Sequence, residues 1–143
     1  GKLHNVKDDS GSWTKWGVSW SHNKKHFKSL EEFKVMSYDK ACEITYENYY
    51  KPLQLDKVNP SARQQLFDIG FNMGIRRAII LAQRALNLVD DGICGPVTLK
   101  ALNKLDNTCL YNERVKFYNA IVKGNSSQKK FIKGWLNRAN DFK

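Results

Sequence analysis

The residues best suited to chemistry lie at the start of the chain, in Asn5-Val6-Lys7-Asp8-Asp9-Ser10-Gly11-Ser12-Trp13-Thr14-Lys15-Trp16-Gly17. Asp8 and Asp9 are adjacent carboxylates, a Ser/Gly turn follows, and Thr14 sits between two tryptophans. No periodic apolar face runs through this stretch, so its pattern is not that of a core element. Two acids on a turn, with a hydroxyl five residues after Asp9, can hold a water beside a bond to be cut. The same residues also make a solvated Asp/Gly turn, and spacing alone leaves both readings open.

Such a loop needs a scaffold, and the rest of the chain reads as helices. Its 143 residues, 41% hydrophobic and 12% aromatic, suit one folded domain with a real core. Val18-Ser19-Trp20 reads as a short strand or extended arm. Ser29-Leu30-Glu31-Glu32 is a capping box, and Ser37 caps a helix through Ala41, Ile44, Tyr46 and Tyr49 that stops before Pro52. The Tyr46, Tyr49 and Tyr50 cluster suits a core edge or a sugar groove. Asn59-Pro60 starts a helix whose buried face is Ala62, Leu66, Ile69 and Met73. Gly70 and Gly74 in that run imply close packing or a backbone approach. Asp68 and Asn72, four apart, share one side of it, as in an ordinary helix-surface pair.

Ile75 to Leu88 has little polar face and is expected to be a central buried helix. Asp90-Asp91-Gly92 is a turn, and Gly95-Pro96 starts another helix. Cys109 to Lys123 reads as a helix stopped by Gly124. The last helix sets Phe131, Trp135, Ala139 and Phe142 on one face. No repeat or flexible linker interrupts the chain, so its halves are expected to pack as one body.

The formal net charge of +10 suits an acidic polymer, a nucleic acid or an anionic membrane surface. The bases are scattered rather than massed on one recognition helix, which argues against a nucleic-acid partner. No apolar run approaches the roughly 20 residues of a membrane span, and no signal peptide is visible. Cys42, Cys94 and Cys109 lack metal-ligand spacing and read as small buried thiols. His4, His22 and His26 have no helix-spaced acid partners, so no metal or cofactor is expected.

The opening stretch resembles the N-terminal signature of the family 108 glycoside hydrolases, the muramidase group that includes phage lysins and secretion-activator proteins. That signature runs Glu-Gly-Gly-Tyr-x-Asn-x-x-x-Asp-x-Gly-Gly-x-Thr-x-x-Gly-Ile/Val. Gly1, Asn5, Asp9, Gly11, Thr14, Gly17 and Val18 match it; Lys2 and Leu3 depart, and Ser12 replaces the second turn glycine. The family's catalytic Glu falls on the position before Gly1, and the first residues are expected to be missing here. Phe67 to Gly74 resembles the family's Asp-x-x-x-Asn-x-Gly helix beside the active-site cleft. The run from Gln83 through Asp91-Gly92-Ile93-Cys94-Gly95-Pro96-Val97-Thr98 is similar to the Leu-Gln…Asp-Gly-x-x-Gly-x-x-Thr pattern of peptidoglycan-binding modules. Gln128 to Lys143 resembles the family's closing helix.

The resemblance implies a mainly α, compact lysozyme-like helical domain, with a short β-hairpin or arm near the N-terminus. It implies a muramidase half over residues 1–78 and a peptidoglycan-binding-like half over 79–143. A glycosidic bond needs a proton donor with a raised pKa and a second group that attacks or holds water. The implied roles are the preceding Glu as acid, with Asp9 and Thr14 holding water, as in the Glu…Asp…Thr triad of phage lysozymes. Asp8, Trp16, Asp68 and Asn72 become candidates for substrate binding. The implied reaction is hydrolysis of the β-1,4 bond between N-acetylmuramic acid and N-acetylglucosamine. The implied setting is a monomer made in the bacterial cytoplasm and acting on the cell wall. A non-catalytic wall-binding module is the alternative.

Overall fold

A computed structural model describes residues 4–5 and 13–143. Asp8 and Asp9 lie outside the described residues. The fold is mainly α and lysozyme-like, with short antiparallel strands at the start. The chain divides into two compact units, Gly1–Asn48 and Tyr49–Lys143.

In the first unit, β1 (His4–Asn5), β2 (Trp13–Lys15) and β3 (Val18–Ser19) form a sheet in the order β1-β2-β3. His4 pairs with Thr14 and Asn5 with Trp13; Thr14 also pairs with Ser19, and Lys15 with Val18. The two-residue turn between β2 and β3 holds both Trp16 (φ 53°) and Gly17 (φ 79°) in the left-handed region. Tight hairpins that follow the strand twist demand this at both positions. Gly17 adopts it freely, whereas Trp16 is a bulky residue where bulk is disfavoured. An edge-on contact between Trp16 and Tyr38, with centroids 5.1 Å apart and planes at 71°, contributes about 0.5–1.5 kcal/mol against that strain.

Alternation along β2 separates its side chains by face. Trp13 packs on the core of Val18, Phe33, Met36, Ala41 and Ile44. The Lys15 ammonium donates to the Lys34 carbonyl at 2.8 Å, and the Lys34 ammonium lies 4.4 Å over the Trp13 ring. Thr14 therefore faces the other way.

Three short helices follow: α1 (Trp20–Asn23), α2 (Leu30–Lys34) and α3 (Tyr38–Thr45). Ser29 caps α2 by accepting from the Glu32 amide at 3.2 Å. The Glu32 carboxylate reaches back one residue further than a capping box expects, to the Lys28 amide at 2.7 Å. Ser37 caps α3 through the Lys40 amide at 3.1 Å.

The second unit holds α4 (Pro60–Met73), α5 (Ile75–Ala85), α6 (Pro96–Ala101), α7 (Asn107–Gly124) and α8 (Lys129–Asn140). Its core joins Leu53, Leu55 and Val58 to Leu66 and Ile69 of α4, Ala78, Leu81 and Ala82 of α5, and Leu110 of α7. Asn59 accepts from the Ser61 amide at 3.1 Å, with Pro60 in the first turn. At Gly70 an added Cβ would lie 2.8 Å from Leu53 Cδ1, so the glycine lets Leu53 reach the helix. Gly74, at φ 94°, ends α4 and opens α5 within one residue.

The structure departs from the sequence expectation in further places: α3 ends at Thr45, short of Tyr49. Helix α5 stops at Ala85, because Asn87 turns left-handed (φ 58°) and the Leu88 amide returns to the Gln83 carbonyl at 2.8 Å. That helix is also amphipathic, with Arg76, Arg77 and Arg84 exposed. Cys42 and Cys109 are exposed thiols, and only Cys94 is partly buried.

Candidate functional site

Thr14 lies opposite Ser19 in the β2–β3 register, and directly paired residues share a face. Ser19 Oγ is 2.9 Å from His22 Nδ1, and Ser21 Oγ is 3.1 Å from the same nitrogen. The outer face of the sheet thus carries the hydroxyls of Thr14 and Ser19 with an imidazole beside them. Ser19 and His22 stand on the face that carries Thr14, a neighbourhood that neither residue's type announces. The signal for Ser19 was the register itself, since a two-residue turn after Lys15 sets Ser19 across from Thr14. Trp16, on the turn, is half-exposed and edge-on to Tyr38.

A groove of about 660 Å³ in the first unit runs beside the outer face of α3. Asp39, Glu43 and Glu47 line it at steps of four along the chain, with His26 and Tyr46. Of the three tyrosines suggested for a sugar groove, Tyr46 lines this one. Tyr49 packs instead on Phe67 and Phe71, at centroid distances of 6.2 and 5.3 Å.

Asp68 and Asn72 do share a side of α4, and the structure gives them distinct surroundings. Asp68 is buried. Its carboxylate accepts from Arg114 Nη2 at 2.5 Å and from Arg138 Nη2 at 2.9 Å. Arg114, fully buried on α7, also donates to the Tyr118 hydroxyl at 2.9 Å. Asp68 thereby ties α4 to α7 and α8. Asn72 is exposed, and its amide donates back to the Asp68 carbonyl at 2.8 Å and carboxylate at 3.1 Å. Asn72 sits at the mouth of a second pocket, described below, with Arg77 and Arg138.

The Gln83…Thr98 segment is organised by one buried side chain. The Gln83 amide donates to the Asp91 carboxylate at 2.9 Å, the Ile93 carbonyl at 3.0 Å and the Thr98 hydroxyl at 3.0 Å. Its carbonyl oxygen accepts from the Gly92 amide at 3.0 Å. These motif residues clasp the loop between α5 and α6; the loop presents Val89 and Ile93 to solvent, and the first turn of α6 presents Val97. The Ile93 amide first, then the Gln83 amide, hold the Asp91 carboxyl below the usual carboxylate range. The Arg84 guanidinium, 2.8 Å from Asp90, does the same there.

Residues 1–74 match the model of the family described as glycosyl hydrolase 108. The chain belongs to the glycosyl hydrolase 108 family. Residues 77–140 match a second family model, described as a predicted peptidoglycan domain. Among solved structures, this glycosyl hydrolase 108 chain is similar to that titled "Structure of Brucella abortus SagA", with 26% identity and a TM-score of 0.77. The match covers 99% of this chain and 83% of that one. No curated protein matches it. Membership places the chain with peptidoglycan hydrolases of the muramidase type. Among the described residues of this family member, no helix is long and apolar enough to cross a membrane. No cluster of three or more His, Cys, Asp or Glu among them could hold a metal ion.

Proposed function

We propose that this glycosyl hydrolase 108 chain cleaves the β-1,4 bond between N-acetylmuramic acid and N-acetylglucosamine, with Asp9 and Thr14 positioning the attacking water. The family pattern sets the general acid one position ahead of Gly1. The observation that carries the reading is the placement of Thr14. It lies on the middle strand of the sheet, directly across from His4 on one side and Ser19 on the other. Neighbouring strands lie about 4.8 Å apart, so the backbone of His4 runs beside that of Thr14. Trp13 and Lys15 anchor the opposite face, which fixes the side on which the Thr14 hydroxyl projects. A hydroxyl on a strand anchored in this way holds a water better than one on a free loop, because its geometry is set before substrate arrives.

Chemistry would proceed by protonation of the leaving oxygen as charge builds on the sugar ring, while the water held by Asp9 and Thr14 approaches C1. Asp8 and the exposed side of Trp16 are assigned to the saccharide, the tryptophan through its apolar ring. The basic chain, at +10, is drawn to an anionic wall.

The test is hydrolysis of purified peptidoglycan by the complete protein, followed by mass analysis of the new reducing ends. Reducing N-acetylmuramic acid termini, lost in Asp9→Asn and Thr14→Ala, are the expected result. Reducing N-acetylglucosamine termini would overturn the bond assignment. Wall binding with no new ends would point to a non-catalytic module instead.

A further inference from the structure

The second unit holds a pocket of about 270 Å³ between α4, α5, α7 and α8 that the hydrolytic reading does not use. Arg77, Arg138, Phe117, Trp135 and Gly134 line it, and no acid does. Arg77 lies over the face of Phe117, with its guanidinium 5.7 Å from the ring centre. Among the described residues, no carboxylate pairs with it. Arg138 shares the single Asp68 carboxylate with Arg114. One positive charge is left over in that trio, offset in part by Asp141 near Arg138. The pocket is therefore cationic on one side and aromatic on the other.

Gly134 provides a separate observation. It sits inside α8, where glycine is less favourable than alanine. Packing does not explain it, because an added Cβ would meet nothing within 4 Å. It lies four residues before Arg138 and so on the same side of the helix, the side that lines the pocket. Open space surrounds the position that an added Cβ would take at this edge of the pocket. The glycine leaves that edge of the pocket open, at a cost to the helix against alanine.

We infer that this pocket binds the carboxylate terminus of a peptidoglycan stem peptide, with Arg77 and Arg138 gripping the carboxylate and Phe117 and Trp135 taking the adjoining apolar side chain. This rests on the reading of peptidoglycan as substrate. The Arg77 guanidinium can offer a fork that matches the plane of a carboxylate, while Arg138, whose Nε and Nη2 already hold Asp68, adds its remaining edge. Flat aromatic walls suit a small aliphatic group such as the methyl of a terminal alanine. The glycan backbone between the peptides offers hydroxyls and acetamides, which gain little from a surplus of positive charge.

The experiment is calorimetric titration of the complete protein with a soluble stem-type peptide ending in D-alanyl-D-alanine, beside the same peptide with an amidated C-terminus. The expected result is binding of the acid form, with weakening of about ten- to a hundredfold on amidation or on Arg77→Gln. Gly134→Leu should abolish binding. Gly134→Ala should raise the melting temperature of α8 and its unit while weakening the peptide, a combination that a purely structural glycine would not give. Equal affinity for the acid and amide forms overturns the inference. So does binding undiminished in both Arg77→Gln and Gly134→Leu, or tighter binding of glycerol phosphate than of the peptide. Peptide binding is measured apart from hydrolysis. A protein that binds the peptide but cuts no glycan would sink the hydrolytic reading alone, and one that cuts glycan but ignores the peptide would sink this inference alone.

Discussion

Arg114 and Asp68 meet at 2.5 Å with no part of Arg114 open to solvent. The guanidinium is fully buried, and its charge faces a carboxylate 46 residues away in the chain that it shares with Arg138. Removing the carboxylate would leave a buried charge without its partner. Asp68→Ala should therefore lower unfolding stability by about 3–5 kcal/mol, read as a fall in the urea midpoint. A change below about 1 kcal/mol would contradict the role assigned to this pair.

Close packing at Gly70 gives a second expectation. Gly70→Ala gains about 1 kcal/mol of helix propensity but drives a methyl group to 2.8 Å from Leu53 Cδ1 in a filled core. Overpacking of this kind costs about 1–3 kcal/mol, so the variant should be destabilised on balance. In a double-mutant cycle with Leu53→Ala, the double variant should be more stable than the sum of the single effects predicts. Strict additivity would show that the two side chains do not compete for space.

Acid should open the loop between α5 and α6. Both Asp90 and Asp91 are held below their ordinary value of 3.8. A carboxyl whose folded pKa is depressed contributes its stability above the unfolded value and loses it as pH falls through the folded one. The loop should hold at pH 3.8 and loosen only below it, seen as accelerated exchange of the Gly92 amide. Gln83→Leu removes the clasp and should open the loop at neutral pH, at a cost of about 2–3 kcal/mol. Unchanged Gly92 exchange in that variant would show that the clasp is not what closes the loop.

Thr14→Ala should lower the hydrolysis rate by about a hundredfold or more with little change in melting temperature, because the residue is only half-buried and faces away from the core. Ser19→Ala should act in the same direction by a smaller factor. A rate loss matched by a proportionate loss of folded protein would assign Thr14 to the scaffold.

Local signals in the chain carried three helix starts. Ser29, Ser37 and Asn59-Pro60 each cap the helix their side chains announce, because a cap is settled within three residues. Distant partners left no such trace. Asp68 and Asn72 were legible as residues on one side of a helix, but nothing near them in sequence reveals Arg114 or Arg138. Apolar content misled in α5, where Arg76, Arg77 and Arg84 face solvent between buried Ala78, Leu81 and Ala82. Ser19 was missed because its place depends on Trp16 accepting a left-handed backbone, which residue preference alone argues against. Cys42 and Cys109 broke a compositional rule, because the helix faces that carry them point outward.

The single-residue joint at Gly74 has a consequence for how such a chain can be taken apart. The two matching family regions abut there, at residues 74 and 77. Yet Leu66 and Ile69 on one side share a dry interior with Ala78, Leu81 and Ala82 on the other. Cutting at this point would strand oily surfaces on both fragments. Recombination in the laboratory would do better to place its crossover away from this border, even though the border is where comparison of sequences draws its line.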